Sequence, residues 1–266
     1  MSEVLLRTEG VCKYFAGLKA VEMVDMEVRL GDVFGIIGPN GAGKTTFFNC
    51  MTGIYPPTKG DVFFEGEKIT RFSPEQIARR RVTRTFQNIQ LFKFMSVLDN
   101  VKIGCHINTK TNLFDAMLHN GRYRADEKFA VEKSLEVLNE IGMYDVRDTM
   151  AGTLPYGMQR KVEIARALAL NPKILLLDEP AAGMNPLETQ SLMEFIKMLN
   201  QKGYTILVIE HDMKFVMNAC NRIMVLNFGQ KIAEGTPEEI RANQGVREAY
   251  FGKGLIVEGV SGNAQN

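Results

Sequence analysis

A glycine-rich segment that ends in Lys-Thr-Thr carries the residue types that bind a phosphate chain. It follows a short apolar run, 33–37, and precedes a stretch of helical composition, as a phosphate-binding loop requires. Glycines let backbone N–H groups approach an anion because no Cβ blocks them, and the following helix N-terminus favours negative charge. Lys44 is expected to contact the β- and γ-phosphates, and the Thr45 hydroxyl to bind Mg²⁺. The segment consists of Gly38, Pro39, Asn40, Gly41, Ala42, Gly43, Lys44, Thr45 and Thr46.

Four further polar residues follow apolar runs elsewhere in the chain: Gln87, Asp178, Glu179 and His211. Asp178 is expected to help orient Mg²⁺, and Glu179 to accept a proton from an attacking water. His211 is expected to contact the γ-phosphate. A helix cap is the alternative interpretation of the Asp-Glu pair, and Pro180 counts against it.

The elements that must position these residues are short apolar strands. Residues 33–37, 82–86, 174–177 and 205–209 each have the length and composition of a strand, and four consecutive aliphatic residues at 174–177 are typical of burial on both faces. In an open parallel sheet the carboxyl ends of such strands meet at one crevice. The pattern therefore predicts that the phosphate-binding loop and the four polar residues form a single site.

The remaining pattern divides the chain into strand-rich and helical parts. Alternation at 24–28 and a turn at 65–66 indicate further strands, one of them in a hairpin. The span 88–153 is mainly helical, with a polar, irregular stretch at 104–124. We therefore expect a helical block between two strand-rich halves.

Two additional helices are predicted from local signals. The first begins at Pro74 and continues into the basic run 79–81, which is expected to be a solvated face because it lacks the interleaved aromatic residues that stack on bases. The second is amphipathic, covers 158–170 and is closed by Asn171-Pro172. The basic run therefore does not indicate a nucleic-acid site.

The composition excludes several classes of protein. With 266 residues, 45% hydrophobic and 24% charged, the chain is typical of a globular protein. No apolar run approaches the roughly 20 residues that cross a bilayer, and no signal peptide is expected. A net charge of +1 gives no reason to expect bulk binding of nucleic acid. Four scattered cysteines without C-x-x-C spacing argue against a disulfide framework or zinc site.

Together these motifs resemble those of the nucleotide-binding subunit of an ATP-binding-cassette (ABC) transporter. The likeness covers essentially the whole chain, because six elements occur in the family's order. They are the P-loop Gly38–Thr45, the Q-loop Gln87, the signature region Leu154–Gln159, the Walker B strand Ile174–Asp178 with Glu179, the D-loop Ala181–Asn185 and the switch His211. Phe15 takes the family's A-loop position, where an aromatic ring stacks on adenine.

The resemblance implies a fold, cofactors and roles. The fold would be α/β, with a P-loop NTPase core whose mostly parallel sheet is flanked by helices, an antiparallel β subdomain and an inserted helical subdomain. The core would comprise 1–87 and 154–266, and the helical subdomain 88–153. The implied cofactors are ATP and Mg²⁺. The implied metal ligands are Thr45, Gln87 and Asp178, and the implied catalytic residues are Lys44, Gln87, Glu179 and His211.

The signature departs from the family's usual Leu-Ser-Gly-Gly-Gln. It reads Leu154, Pro155, Tyr156, Gly157 and Met158. In the family the serine hydroxyl binds the γ-phosphate of the partner subunit's nucleotide across a dimer interface. Pro155 has neither a hydroxyl nor an N–H, and the sequence leaves open whether one composite site is weakened. Asn185 stands where the family often has Asp.

Other stretches are similar to the ATPase subunits of branched-chain amino-acid importers, among them 162–167, 179–186, 209–213 and 249–252. The resemblance implies a second ABC ATPase subunit and integral-membrane permease subunits as partners, an extracytoplasmic solute-binding protein indirectly, and no nucleic acid. It also implies a peripheral position on the cytoplasmic face of the inner membrane. The residues expected to contact the permease are Ile89, Leu91, Phe92 and Phe94.

Three other functions compete with this interpretation. The ATPase of a lipopolysaccharide exporter shares several helix motifs. A soluble DNA-repair or chromosome-associated ATPase of the same superfamily would need long coiled-coil insertions, and no sustained heptads occur. A small-molecule P-loop kinase would lack the signature. The transported solute and the choice between homodimer and heterodimer are not encoded in these motifs.

Overall fold

A computed structural model of the protein describes residues 3–105 and 120–251. These residues form two β-sheets and flanking helices, which confirms the expected α/β fold class. The larger sheet has six strands in the order β10-β9-β3-β8-β7-β6. Its strands are β3 (Val33–Ile37), β6 (Val82–Arg84), β7 (Ile174–Asp178), β8 (Thr205–Ile209), β9 (Arg222–Asn227) and β10 (Gln230–Gly235).

The larger sheet is parallel except for β10, which pairs with β9 in the antiparallel sense. Every residue of β3, β7 and β8 is buried, as the aliphatic runs predict. The register places Ile209 beside both Ile36 and Asp178. Because parallel strands in this register end together, the residues that follow β3, β7 and β8 begin at the same edge of the sheet.

The smaller sheet is antiparallel, with the order β2-β1-β4-β5. Its strands are β1 (Val4–Phe15), β2 (Leu18–Arg29), β4 (Lys59–Phe64) and β5 (Glu67–Lys68). The predicted hairpin turn at 65–66 joins β4 to β5. Phe15 is the last residue of β1, next to the two-residue turn 16–17, so its position is fixed by the hairpin between the two long strands.

Nine α-helices occur among the described residues. They are α1 (Lys44–Met51), α2 (Pro74–Arg79), α3 (Val97–Cys105), α4 (Gly121–Glu140), α5 (Tyr156–Leu168), α6 (Pro186–Gln201), α7 (Met213–Ala219), α8 (Pro237–Ala242) and α9 (Gln244–Phe251). Short 3₁₀ turns lie at 144–146 and 151–153. Within the described residues, no helix is both long enough and apolar enough to cross a bilayer.

Two hydrophobic clusters cover the two faces of the parallel sheet. Along β7, Leu175 and Leu177 face one cluster, and Ile174 and Leu176 face the other. The first cluster includes buried residues of α5, α6 and α7, whereas the second includes those of α1, α2 and the antiparallel sheet. Each strand side chain is therefore covered by a helix layer or by the second sheet, which fixes the sheet edge that carries the polar residues.

Two helix predictions are wrong in detail. The helix at Pro74 ends at Arg79; Arg80 is its C-cap and Arg81 has φ +67°, so the basic run is not one helical face. Arg80 instead forms an ion pair with Glu67. The helix predicted over 158–170 spans 156–168, because it begins directly after Pro155.

The stretch predicted to be irregular, 104–124, begins and ends in helices. Gly104 allows α3 and α5 to pack closely, because a Cβ at this position would lie only 2.1 Å from the Arg166 carbonyl oxygen. Residues 121–124 form the first turn of α4, with Asn120 accepting a hydrogen bond from the backbone N–H of Tyr123. The middle of the stretch, 106–119, lies outside the described residues.

Candidate functional site

The phosphate-binding loop joins β3 to α1 and contains two positions that need glycine. A Cβ on Gly38 would lie 2.1 Å from the Leu226 carbonyl oxygen. Gly43, the N-cap of α1, has φ +94°, and a Cβ on it would lie 2.3 Å from the Ala20 carbonyl oxygen. No side chain caps α1 and no acidic residue lies in its first turn. The N-terminus of this helix is therefore suited to bind an anion.

Lys44 lies on the floor of this loop. Its Nζ donates hydrogen bonds to the carbonyl oxygens of Gly38, at 2.7 Å, and Pro39, at 3.1 Å. Burial lowers the pKa of Lys44 below its ordinary value, and the negative charges of Glu179 and Glu210 partly oppose that shift. A phosphate chain would give this buried ammonium a stronger counter-charge than two carbonyl oxygens provide.

The loop opens into a cleft of about 610 Å³, a volume typical of a small-molecule site. Its lining includes the phosphate-binding loop and Glu179, together with hairpin residues around Phe15. The Phe15 ring packs edge-on against Tyr55, with ring centroids 5.6 Å apart, and the Lys13 ammonium lies 5.2 Å from its centroid. The lining comprises Phe15, Leu18, Lys19, Ala20, residues 40–46, Glu179, Phe228 and Gly229.

Glu179 contacts two of the other residues predicted from strand ends, Gln87 and His211. Its Oε2 accepts a hydrogen bond from Gln87 Nε2 at 2.9 Å and lies 3.7 Å from His211 Nδ1. The residue has φ +43°, which is strained for a side chain of this size and is common at functional sites. Its backbone N–H donates to the Ile209 carbonyl oxygen, so β8 holds it in this conformation. The structure therefore brings Gln87, Glu179 and His211 together.

Asp178 is oriented by Arg84, a residue that the sequence patterns did not single out. Arg84 Nη2 lies 2.6 Å from Asp178 Oδ2, and both side chains are largely buried, with 13% and 7% exposed. The other terminal nitrogen donates to Asn49 Oδ1 at 2.7 Å and Thr52 Oγ1 at 3.0 Å. Arg84 thus joins the end of β7 to helix α1. Its place in β6, three residues before Gln87, was the only signal available in the sequence.

Glu210, which follows β8, is a second site residue that the sequence patterns did not indicate. It is almost fully buried, and its carboxylate accepts hydrogen bonds from the backbone N–H groups of Ala181, at 2.8 Å, and His211, at 3.1 Å. Burial raises the pKa of Glu210 above its ordinary value, against the effect of these hydrogen bonds. Glu210 therefore sets the backbone position of His211 and of the loop 181–185 that follows Glu179.

The donor atoms near the cleft suit a small, hard cation. Thr45 contributes a hydroxyl, Asp178 a carboxylate and Gln87 an amide, whose nitrogen is already used toward Glu179. Among the described residues there is no cluster of three or more histidine, cysteine or acidic side chains able to hold a metal by itself. Mg²⁺ is the ion that binds through one or two protein oxygens together with substrate phosphates. The residues present fit that ion.

The predicted signature residues lie beside the loop 181–185 and not in the lining of this cleft. Tyr156 Oη donates to the Ala182 carbonyl oxygen at 3.2 Å, and the backbone N–H of Gly157 donates to Glu188 Oε1 at 3.1 Å. Pro155 is the N-cap of α5 and gives it no side-chain cap, while Leu154 is buried. Met158 packs against the core beside them.

Helix α5 also holds the backbone around Gln87. Arg160 is fully buried in an ion pair with Glu163, at 2.6 Å. The same guanidinium donates to the carbonyl oxygens of Phe86, at 2.7 Å, and Gln87, at 2.6 Å. Arg166 donates to the Gln90 carbonyl oxygen at 2.5 Å. The helix that begins at the signature therefore fixes the main chain next to the cleft.

The residues predicted to contact a permease have unequal exposure. Phe94 is 94% exposed and Phe92 is 54% exposed, whereas Leu91 packs against the core and Ile89 is half-buried. The buried Asn100 amide bonds both backbone groups of Phe92 and fixes this segment. A nearby groove of about 300 Å³ includes the half-exposed Phe86, which the sequence patterns did not indicate.

The chain is similar to known proteins over most of its length. Residues 21–182 match the family described as ABC transporter, and residues 230–255 match the family described as branched-chain amino acid ATP-binding cassette transporter. The high-affinity branched-chain amino acid transport ATP-binding protein BraF of Pseudomonas aeruginosa is 44% identical, with 95% of this chain and 100% of that protein covered. LivG of Salmonella typhimurium, with the same description, is 45% identical at the same coverage.

Solved structures show the same likeness. The ADP conformation of an ATP-binding cassette of an ABC transporter superposes with a TM-score of 0.83 at 36% identity, covering 95% of this chain and 100% of that one. The structure of cbiO1 from Clostridium perfringens, part of the ABC transporter complex cbiONQ, gives a TM-score of 0.78 at 28% identity, with 92% and 93% covered.

Proposed function

Because the chain belongs to the ABC transporter ATPase family, we propose that it is the ATP-hydrolysing subunit of an importer of branched-chain amino acids. The observation that supports this transport role best is the likeness, over 95% of this chain, to ATP-binding proteins of high-affinity branched-chain amino acid transport. The likeness extends into the C-terminal segment, where a family specific to such cassettes matches. In this proposal the solute contacts other subunits of the importer. The geometry of this chain therefore concerns ATP hydrolysis and not recognition of the solute.

In the proposed reaction the phosphate-binding loop holds the triphosphate of ATP. Backbone N–H groups at the start of α1 and the Lys44 ammonium bind the β- and γ-phosphates, while Phe15 contacts the base. Thr45, Gln87 and Asp178 would hold Mg²⁺ through their side-chain oxygens, and the bound ion would neutralise negative charge on the phosphate chain. Arg84 keeps the Asp178 carboxylate in place for that role.

Glu179 is the proposed general base. A water oxygen attacks the γ-phosphorus, the bond from that phosphorus to the ADP oxygen breaks, and the Glu179 carboxylate accepts a proton from the water. Gln87 and His211 lie 2.9 Å and 3.7 Å from the same carboxylate oxygen, so both can orient it toward the γ-phosphate. Lys44 stabilises the charge on the transferred phosphoryl group.

A second ABC ATPase subunit completes each site in this proposal. Residues 154–158 lie beside the loop 181–185 of their own chain and outside the lining of its cleft, which supports the proposal that they act on the nucleotide of a partner. We propose that residues 88–153 form the helical subdomain between the core segments 1–87 and 154–266. Permease subunits would bind at Phe92 and Phe94 on the cytoplasmic face of the inner membrane, with an extracytoplasmic solute-binding protein delivering the solute.

The test is ATP-driven uptake by the reconstituted complex. The chain, its co-purifying membrane proteins and the solute-binding protein are placed in proteoliposomes, and uptake of leucine is compared with uptake of lysine. We expect ATP-dependent accumulation of leucine only. Phe94→Asp should leave the ATPase rate of the isolated chain within about twofold, because the side chain is 94% exposed, and should reduce leucine uptake about tenfold or more.

The matched control is Phe129→Asp, which places the same charge on an exposed phenylalanine of α4. It should leave uptake unchanged. Accumulation of a different solute, or no ATP-dependent uptake, would refute the importer assignment. Normal leucine uptake by Phe94→Asp would refute only the proposed permease contact.

A further inference from the structure

Phe228 occupies a turn whose backbone conformation does not suit a bulky residue. Strand β9 ends at Asn227 and β10 begins at Gln230, so the turn consists of Phe228 and Gly229. Their φ angles are +45° and +77°, both positive as in a type I′ hairpin turn. Asn, Asp or Gly is favoured at the first of these positions, and a phenylalanine there is strained.

The Phe228 ring is also 86% exposed, and it lines the same cleft as Phe15 and the phosphate-binding loop. Neither packing nor turn chemistry accounts for an aromatic ring at this position, because the ring is solvated and the turn prefers a different residue. Strained residues that persist at a cleft are indicators of function.

The turn is bonded to the elements that hold the phosphate chain. The backbone N–H of Gly229 donates to the Ala42 carbonyl oxygen at 3.0 Å, and its carbonyl oxygen accepts from the N–H of Glu22 at 2.8 Å. The Gly229 Cα also lies against Gly43, where a Cβ would be only 3.4 Å away. The position of Phe228 is therefore fixed relative to the phosphate-binding loop and to the hairpin that carries Phe15.

We infer that Phe228 is a second aromatic contact for the nucleoside of bound nucleoside triphosphate, in addition to Phe15. This inference rests on the proposed nucleotide site. An aromatic ring stacks on any base and gains apolar contact with the ribose, so it adds affinity for the nucleoside without reading hydrogen bonds. In this arrangement the loop binds the phosphates, while Phe15 and Phe228 bind the nucleoside end of the same ligand.

The test separates nucleoside binding from phosphate binding. Isothermal titration of the full-length chain measures the Kd of ATP and of inorganic tripolyphosphate, both with Mg²⁺. We expect Phe228→Asn to weaken ATP binding about tenfold, because one stacking contact with the base is lost. Tripolyphosphate has no base, so its binding should be unchanged. Phe228→Trp should bind ATP like the wild type. Because Asn suits the turn, Phe228→Asn should melt at the wild-type temperature or higher.

A matched control is Phe129→Asn, an exposed phenylalanine on α4, which should bind both ligands like the wild type. The inference is overturned if Phe228→Asn binds ATP like the wild type, or if it loses ATP and tripolyphosphate equally. The nucleotide site itself is tested by Lys44→Ala. If this variant binds ATP and tripolyphosphate as tightly as the wild type, the proposed nucleotide site is wrong.

Discussion

At the residue scale, the electrostatics of the site depend on Arg84 as much as on the residues that belong to the sequence motifs. Asp178 is a carboxylate with 7% of its side chain exposed, and Arg84 is its cationic partner at 2.6 Å. The same guanidinium lies over the ring of Phe48 and donates to the side chains of Asn49 in α1 and of Thr52, the C-cap of that helix. A buried charge that loses its partner is strongly destabilising, so Arg84 supports both the fold and the proposed Mg²⁺ ligand.

We predict that Arg84→Met destabilises the chain by about 3–5 kcal/mol, the typical effect of breaking a buried ion pair. Urea unfolding of the full-length chain measures this. Arg79→Met is the matched control, since Arg79 pairs with Glu75 at 3.0 Å on an exposed helix surface, and its effect should stay within about 0.5 kcal/mol. Equal unfolding midpoints for the two variants would contradict the role given to Arg84.

At the element scale, α5 and α6 are joined at their N-termini through Glu188. Its Oε2 accepts from the backbone N–H of Asn185 and completes the capping box of α6, while its Oε1 accepts from Gly157 at the start of α5. One side chain therefore fixes the signature relative to the loop that follows Glu179. Thr236 and Glu239 form a similar capping box at the start of α8, where the Glu239 carboxylate accepts a hydrogen bond from the backbone N–H of Thr236.

We predict that Glu188→Ala and Glu239→Ala each cost about 1 kcal/mol of stability, the usual effect of losing a helix cap. Only Glu188→Ala should also lower the ATPase rate, by about three- to tenfold, because the signature loses its anchor. Thermal unfolding and steady-state hydrolysis measure the two effects, and both variants remove one negative charge. An unchanged hydrolysis rate in Glu188→Ala would show that the hydrogen bond between Glu188 and Gly157 does not contribute to ATP hydrolysis.

At the scale of the whole molecule, features with a local cause were predictable from the sequence. The strand 33–37, the loop from Gly38 and the hairpin turn at 65–66 depend on neighbouring residues, and each appears where its pattern indicated. The convergence of strand ends followed from the parallel sheet, a general rule of such folds.

Features formed by residues far apart in the chain were not predictable in this way. Arg84 meets Asp178 across 94 positions, and Arg160 bonds Gln87 across 73. An arginine before a strand end or inside an amphipathic helix carries no local signal of such a contact, because the partner is set by tertiary packing. The basic run at 79–81 also has distant partners, since Arg80 pairs with Glu67 and Arg81 donates to the Asn171 carbonyl oxygen.

The most direct test of Glu179 as the general base compares ATP binding and hydrolysis in Glu179→Gln, with a change at the exposed Glu238, Glu238→Gln, as the matched control. The amide keeps the size of the side chain but cannot accept the proton of the attacking water. We predict that Glu179→Gln binds ATP as the wild type does and hydrolyses it about 10²–10⁴-fold more slowly, while Glu238→Gln retains full activity. Hydrolysis by Glu179→Gln at the wild-type rate would contradict the role of Glu179 as general base.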